Sequence, residues 1–304
     1  MATPAPIKRN ATRDDSVVLT PYAFLAPALI ITGLVVLFPA LRTFWMSLQD
    51  LILFRPDAAR LIGFGNFVRA FSDEVFWISL RQSVLWITLA VGLQFLLGFA
   101  TALLLNQSFW WRSAARALIV IPWALPSVII GLMWTWMYDF NLGVLNDMLL
   151  RLGLITRPIA WLADPDLAFY CVVLTLVWQG FPFFAVTILA GLQSIPADQL
   201  EAAEIDGATR WQRLRFVIIP GLADVIMTAL LLRIIWVANS LDVILLMTGG
   251  GPGYATHTLP LYAFQKAYSS MEYGYGAALA VILTALLMLV VMGYVRRSSR
   301  GIAT

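Results

Sequence analysis

Histidine and cysteine are almost missing: 304 residues hold one of each, His257 and Cys171. A single cysteine excludes an internal disulfide and any multi-cysteine metal site. Cys171 stands inside an apolar run, where a buried, inert thiol is expected. A single histidine leaves metal clusters and Ser-His arrangements without partners, so His257 is expected to be an ordinary residue of an external loop. No G-x-x-x-x-G-K-[ST] phosphate loop occurs. The glycine-rich "GGGPG" at 249–253 has no lysine and suits a tight turn, so this chain is not expected to hydrolyse ATP.

Charge is scarce too. Only 12% of residues are charged and 61% are apolar, against roughly 25% and 45–50% in ordinary soluble domains. Too few charged side chains remain to coat a soluble body of this size, which makes a bilayer the solvent for most of the chain. The net charge of +3 does not indicate nucleic acid, because no basic run with interleaved aromatics occurs.

What is abundant is long apolar sequence. A spanning helix needs about 20 mostly apolar residues, and six segments qualify: 22–41, 83–105, 116–138, 168–193, 222–247 and 276–295. The expected fold class is an all-α integral membrane protein with six transmembrane helices within residues 21–297. Lys8, Arg9 and Arg13, Arg112 and Arg116, Arg210, Arg213 and Arg215, and Arg296, Arg297 and Arg300 fall on one side, which sets both termini in the cytoplasm. Residues 1–20 and 298–304 are then cytoplasmic tails, and the first lacks the apolar core of a cleavable signal peptide. The glycosylation-like "NAT" and "NQS" lie on that same side and are set aside. The external connection 139–167 has apolar residues at helical spacing and is predicted to carry a short interfacial helix, with Trp161 at headgroup depth. Pro27, Pro39, Pro122, Pro126 and Pro182 interrupt the spans, as in a bundle packed round a pathway or one merely shaped for helix packing.

The longest cytoplasmic connection, 194–220, reads "SIPADQLEAAEIDGATRWQRLRFVIIP". Pro196 suits a first helical turn, Asp198 and Glu201 suit the positive N-terminal end, and Gly207 supplies a left-handed stop after Asp206. A helix, a break and a second helix follow. So short a pair is marginal without tertiary contacts; it lies on the membrane surface or docks into a partner's groove.

"EAA" at 201–203, Gly207 and "IIP" at 218–220 resemble the EAA loop of permease subunits of binding-protein-dependent ATP-binding-cassette importers. "WQGFPFFAVTILAGLQSIP", "LMTGGGPGYATHTLPLYAFQKAY" and "YAFLAPALIITGLVVLFPALRTFWMSLQD" are similar to the carbohydrate branch of that family, the maltose- and glycerol-phosphate-type first permease. The resemblance implies a type I importer permease fold in a bacterial or archaeal plasma (inner) membrane. It implies four kinds of partner: a second homologous permease, two copies of a cytoplasmic ATPase, an extracytoplasmic substrate-binding protein, and a sugar or sugar derivative. No cofactor is implied for this chain, with ATP and Mg belonging to the ATPase. Glu201, Ala202, Ala203, Asp206 and Gly207 become the ATPase-coupling residues, and "TGGGP" faces the binding protein.

Pathway candidates come from spans four and five. At 100° per residue, Arg233, Trp236, Asn239 and Ser240 share about 120° of arc, with Asp242 beside them. Ionisable groups in a span cost at least about 2.5–3.5 kcal/mol and should face a cavity or a partner. Trp178 and Gln179, beside Pro182, offer an aromatic plate and an amide to a sugar ring; Trp178 packing on the partner permease is the alternative. Arg233 suggests an anionic sugar, but importers of varied specificity resemble this chain at "LLRIIW", which favours a gating or structural role. Two rival readings stand beside the importer. One is a stand-alone secondary transporter in which Arg233 and Asp242 couple substrate to protons; the other is a membrane scaffold with no pathway.

Overall fold

The computed structural model describes residues 15–54 and 59–301. It begins with α1 (Asp15–Thr32), a π-helical turn at Gly33–Leu37 and α2 (Phe38–Ser47). Pro39 lacks an N–H, and its ring would strike the carbonyl one turn earlier in a regular helix. The wide turn, closed by the Phe38 N–H on the Gly33 carbonyl, absorbs the misfit and lets the helix run on. The same device recurs at Leu214–Ile218, just before Pro220.

Between the first two spans lie a minimal antiparallel pair, β1 (Gln49–Asp50) and β2 (Arg60–Leu61), and α3 (Gly65–Ser72). Buried Asn66 ties them together, donating to the Ser47 and Gln49 carbonyls at 2.9 and 2.8 Å. Then come α4 (Glu74–Asn106), α5 (Arg112–Ala124), α6 (Ser127–Met137), α7 (Val144–Arg151) and α8 (Pro165–Ser194). A helix-turn-helix follows: α9 (Ala197–Ile205), α10 (Arg210–Arg213), the π turn and α11 (Ile219–Gly221). The chain ends with α12 (Ala223–Ala238), α13 (Asp242–Met247), α14 (Leu259–Phe264) and α15 (Tyr273–Gly301).

Among the described residues five helices are long and apolar enough to cross a bilayer: Phe24–Ser47, Glu74–Asn106, Pro165–Ser194, Ala223–Met247 and Tyr273–Arg296. The expected third span, 116–138, is not one straight rod. It is α5 and α6, bent by 94°, and makes a sixth span only if the pair is counted together. The cause is local: Leu125, the residue before Pro126, is extended at φ −77° and ψ 139°, because a following proline disfavours helical geometry. The expected fifth span is also interrupted, between Ala238 and Asp242. Pro182, by contrast, sits inside an unbroken α8.

The first and last helices run into the segments assigned as tails. α1 starts at Asp15 and α15 runs to Gly301, so both expected tails are partly helical, whichever side of the membrane they face. Residues 1–14, with Lys8, Arg9, Arg13 and "NAT", and residues 302–304 lie outside the described residues.

α8 is the central helix: 67% of its most apolar stretch is buried, against none in the first span. It packs on α4 backbone to backbone at Gly98, where an added methyl would come within 2.7 Å of the Phe181 carbonyl and 2.9 Å of the Ala185 nitrogen. Small residues permit such approach where helices must attract one another without water's help. A second core, round Phe76, Leu259, Tyr275 and Leu279, fastens α4 to α14 and α15.

Candidate functional site

The two interrupted spans meet. Ser127, opening α6, donates its hydroxyl to Asp242, opening α13, at 2.9 Å. A break at membrane depth exposes backbone carbonyls that must find donors. At the end of α12 the Asn239 amide donates to the Ile235 carbonyl at 2.8 Å, and the buried Trp86 indole donates to the Val237 carbonyl at 3.2 Å. The break is therefore satisfied from two sides.

Beside it lies a cavity of about 190 Å3, lined by Trp123, Ser127, Gln179, Arg233, Trp236 and Ser240, among others. Arg233 is 7% exposed. Its Nε donates to Gln94 Oε1 at 2.6 Å, and Gln94 Nε2 donates to the Leu176 carbonyl of α8 at 2.8 Å. Gln94 is fully buried, so the guanidinium is held by an amide that has no other orientation satisfying both bonds. Gly180 makes room: a Cβ there would collide with both the guanidinium and the Gln94 amide. Gln94 and Gly180 were not singled out from the sequence. The available signal was an amide and a glycine inside otherwise apolar helices.

Of the sequence candidates, Gln179, Arg233, Trp236 and Ser240 come together at this cavity. Trp178 does not. Adjacent helical residues point about 100° apart, and Trp178 faces another, mostly apolar cleft of about 440 Å3, edge-on to Trp134 at 5.7 Å. Asn239 is exposed, with its amide engaged by the end of its own helix. Trp236 packs edge-on against Phe183 at 5.2 Å and stays about half exposed. Arg233 and Asp242 have separate partners, and no ion pair joins them among the described residues.

The 194–220 connection is a closely hydrogen-bonded turn between two short helices. Gly207 takes φ +75°; its N–H bonds the Glu204 carbonyl at 3.0 Å and the Ala208 N–H bonds the Ala203 carbonyl at 2.9 Å. This pairing closes a helix on a left-handed glycine. Thr209 then opens the next helix with a reciprocal cap: its backbone N–H donates to Gln212 Oε1 at 2.7 Å, and the Gln212 N–H donates to its hydroxyl at 3.3 Å. An ion pair between Glu204 and Arg213 spans the turn. Glu201, Ala202, Asp206 and Gly207 are exposed, Ala203 half-buried, and Ile205 is 86% exposed.

Residues 94–304 match the family model described as the binding-protein-dependent transport system inner membrane component. The chain belongs to that family. The sulfoquinovosyl glycerol transport system permease protein of Agrobacterium fabrum is 39% identical over 272 residues, covering 90% of this chain and 88% of that one. The trehalose/maltose transport system permease protein of Thermococcus litoralis is 36% identical over 275 residues, covering 90% and 92%. A bacterial ABC transporter that imports the acidic polysaccharide alginate shares the fold, with a TM-score of 0.82 at 22% identity over 94% of this chain and 97% of that one. The protein is thus a multi-pass inner-membrane permease of the ABC importer class, not itself the ATP-hydrolysing component.

At the end of the permease opposite 194–220, two polar knots were not legible in the sequence. His257 is not an ordinary loop residue: it is 2% exposed, with Nδ1 2.8 Å from the Ser79 hydroxyl of α4 and Nε2 2.7 Å from Gln265 Oε1. Burial pulls its pKa down, and the Gln265 contact only partly opposes this. Its two partners pin the "GGGPG" turn against α4 and the π-helical turn Gln265–Ser269 that follows α14. In the second knot Asp73 accepts the Tyr262 hydroxyl and, at 2.6 Å, the Tyr275 hydroxyl. Burial works to raise the Asp73 carboxyl, but those two hydroxyls, the Val75 N–H and nearby Lys266 together hold it below the usual carboxylate range. Arg69 lies 4.1 Å over the Tyr275 ring and pairs with Glu272 at 2.5 Å. Cys171 is buried, and among the described residues no cluster of His, Cys, Asp or Glu could hold a metal.

Proposed function

We propose that this permease forms one half of the translocation pathway of an ATP-driven sugar importer. It works with a second homologous permease, two copies of a cytoplasmic ATPase that bind ATP and Mg, and an extracytoplasmic binding protein. The termini and the 194–220 connection face the cytoplasm, where Glu201, Ala202, Ala203, Asp206 and Gly207 couple to the ATPase. Gln179, Trp236 and Ser240 line the sugar's route. Asn239, Asp242 and Pro182 shape it, Arg233 sets its width, and Trp178 supports it from behind. A cavity of about 190 Å3 is small against the roughly 300–1,000 Å3 of complete ligand sites, as fits a half-site that a partner completes. The sugar assignment draws on relatives whose names specify sulfoquinovosyl glycerol and trehalose/maltose.

The observation that carries the coupling reading is the helix-turn-helix, rigidly closed at Gly207 and Thr209 yet presenting the bare side chain of Ile205. An apolar side chain on a rigid exposed turn is suited to a partner's groove. Co-expression with the neighbouring genes is expected to bring down an ATPase with the permease, and Ile205→Glu to lose it while membrane insertion stays normal. Absence of any ATPase, or equal capture by Ile205→Glu, would refute the coupling role. A proton-driven transporter is disfavoured by the separate partners of Arg233 and Asp242, and uptake by the isolated permease under a pH gradient would restore it.

A further inference from the structure

At the same end as the 194–220 connection, by helix alternation, an apolar cleft of about 470 Å3 opens between α4 and α5. Thr101, Leu104 and Leu105 form one wall, Phe109 and Trp111 the loop side, and Leu118 the other wall. Two guanidiniums stand at its rim, each tied to the carbonyl of a residue that lines it: Arg112 Nη1 donates to Gln107 at 3.4 Å, and Arg116 Nη2 donates to Leu105 at 3.3 Å. Neither arginine forms an ion pair among the described residues, and Arg116 Nε is buried with no hydrogen-bond partner. Trp110, next on the loop, is 96% exposed. A tryptophan at a span's end marks headgroup depth.

We propose that this cleft binds one anionic phospholipid, an acyl chain lying along the apolar walls and the phosphate accepting from Arg112 and Arg116. Charge complementarity selects this occupant. A cation pair above an apolar slot at headgroup depth matches a molecule that is anionic at one end and hydrocarbon at the other. An apolar protein helix would fill the slot but leave both guanidiniums without counter-charge, with the buried Arg116 Nε still unpartnered. The site is separate from both the pathway cavity and the coupling turn, and does not depend on the transported substrate.

The test is native mass spectrometry of the purified importer complex, titrated with palmitoyl-oleoyl phosphatidylglycerol or phosphatidylcholine. Wild type is expected to retain phosphatidylglycerol preferentially. Arg112→Gln with Arg116→Gln is expected to weaken that retention about 25-fold, each cation contributing roughly fivefold near an anionic lipid, with phosphatidylcholine unaffected. Thr101→Phe, which keeps both arginines and fills the slot, should also lose the lipid, so a double variant that fails to assemble leaves the proposal open to refutation. Equal retention of the two lipids by wild type, or wild-type retention by Thr101→Phe, overturns it. So does displacement of the lipid by millimolar inorganic phosphate, or efficient crosslinking of a Leu118→Cys variant to another subunit.

Discussion

Gly207 allows the proposed coupling role of the 194–220 turn to be tested by backbone conformation alone. Its φ is +75°, and a methyl added there would meet nothing within 4 Å, so substitution costs only the backbone strain. For alanine the left-handed region costs about 1–2 kcal/mol, which shifts the turn's population by roughly 5- to 30-fold. Asparagine is several-fold enriched in that region and should cost less than alanine. Proline, fixed near φ −65°, cannot form the turn, and it deletes the N–H bonded to the Glu204 carbonyl. With the complex reconstituted in proteoliposomes and binding protein present, the initial rate of ATP-driven uptake should rank wild type, Asn, Ala, Pro, with equal incorporation of all four. Alanine and proline variants at the wild-type rate would refute the lever. An asparagine variant as damaged as the proline one would show that side-chain bulk, not backbone geometry, decides.

Gly180→Ala drives a methyl into the Arg233–Gln94 contact and should lower stability in detergent by about 1–3 kcal/mol, read by thermal scanning; an unchanged melting curve would mean that α4 and α8 approach less closely. Trp236→Ala should change sugar uptake kinetics while Trp178→Ala mainly lowers stability, because only the former lines the cavity; uptake lost with Trp178 alone would reverse the two roles. His257 has a folded pKa below the ordinary histidine value of about 6.5, so the folded state binds fewer protons than the unfolded one between those values. Its contribution to stability is complete above pH 6.5 and declines as pH falls toward the folded pKa; His257→Gln should flatten the melting temperature between pH 7.5 and 5.5, and a slope unchanged from wild type would contradict this.

The long apolar runs identify the membrane class because spanning a bilayer constrains every residue in a run. The helix-turn-helix is equally visible, since Pro196 and Gly207 each act on the nearest turn. What the sequence conceals is non-local. Proline count alone does not distinguish Pro126, where the chain bends by 94°, from Pro182, where α8 runs on unbroken between packed neighbours. A helical wheel extended past Ala238 treats Asn239 and Ser240 as one face, although the helix has ended there. His257 reads as a loop residue because its partner Ser79 is 178 positions away, a separation to which no periodicity is sensitive.

The breaks also bear on how the proposed coupling turn would act on the cavity. The chain runs from the turn through α10, the π turn and α11 directly into α12, whose far end is the break at Asn239 beside Trp236 and Ser240. Sixteen residues of helix span about 24 Å, so each degree of tilt about the near end moves the far end by about 0.4 Å. An unbroken fifth span would carry that tilt across the whole membrane and strain the knots at Asp73 and His257. With the interruption, α12 can swing against α13, while the Ser127–Asp242 bond keeps α13 with α6. On the proposed coupling role, motion of the turn would be concentrated at the cavity proposed to line the pathway.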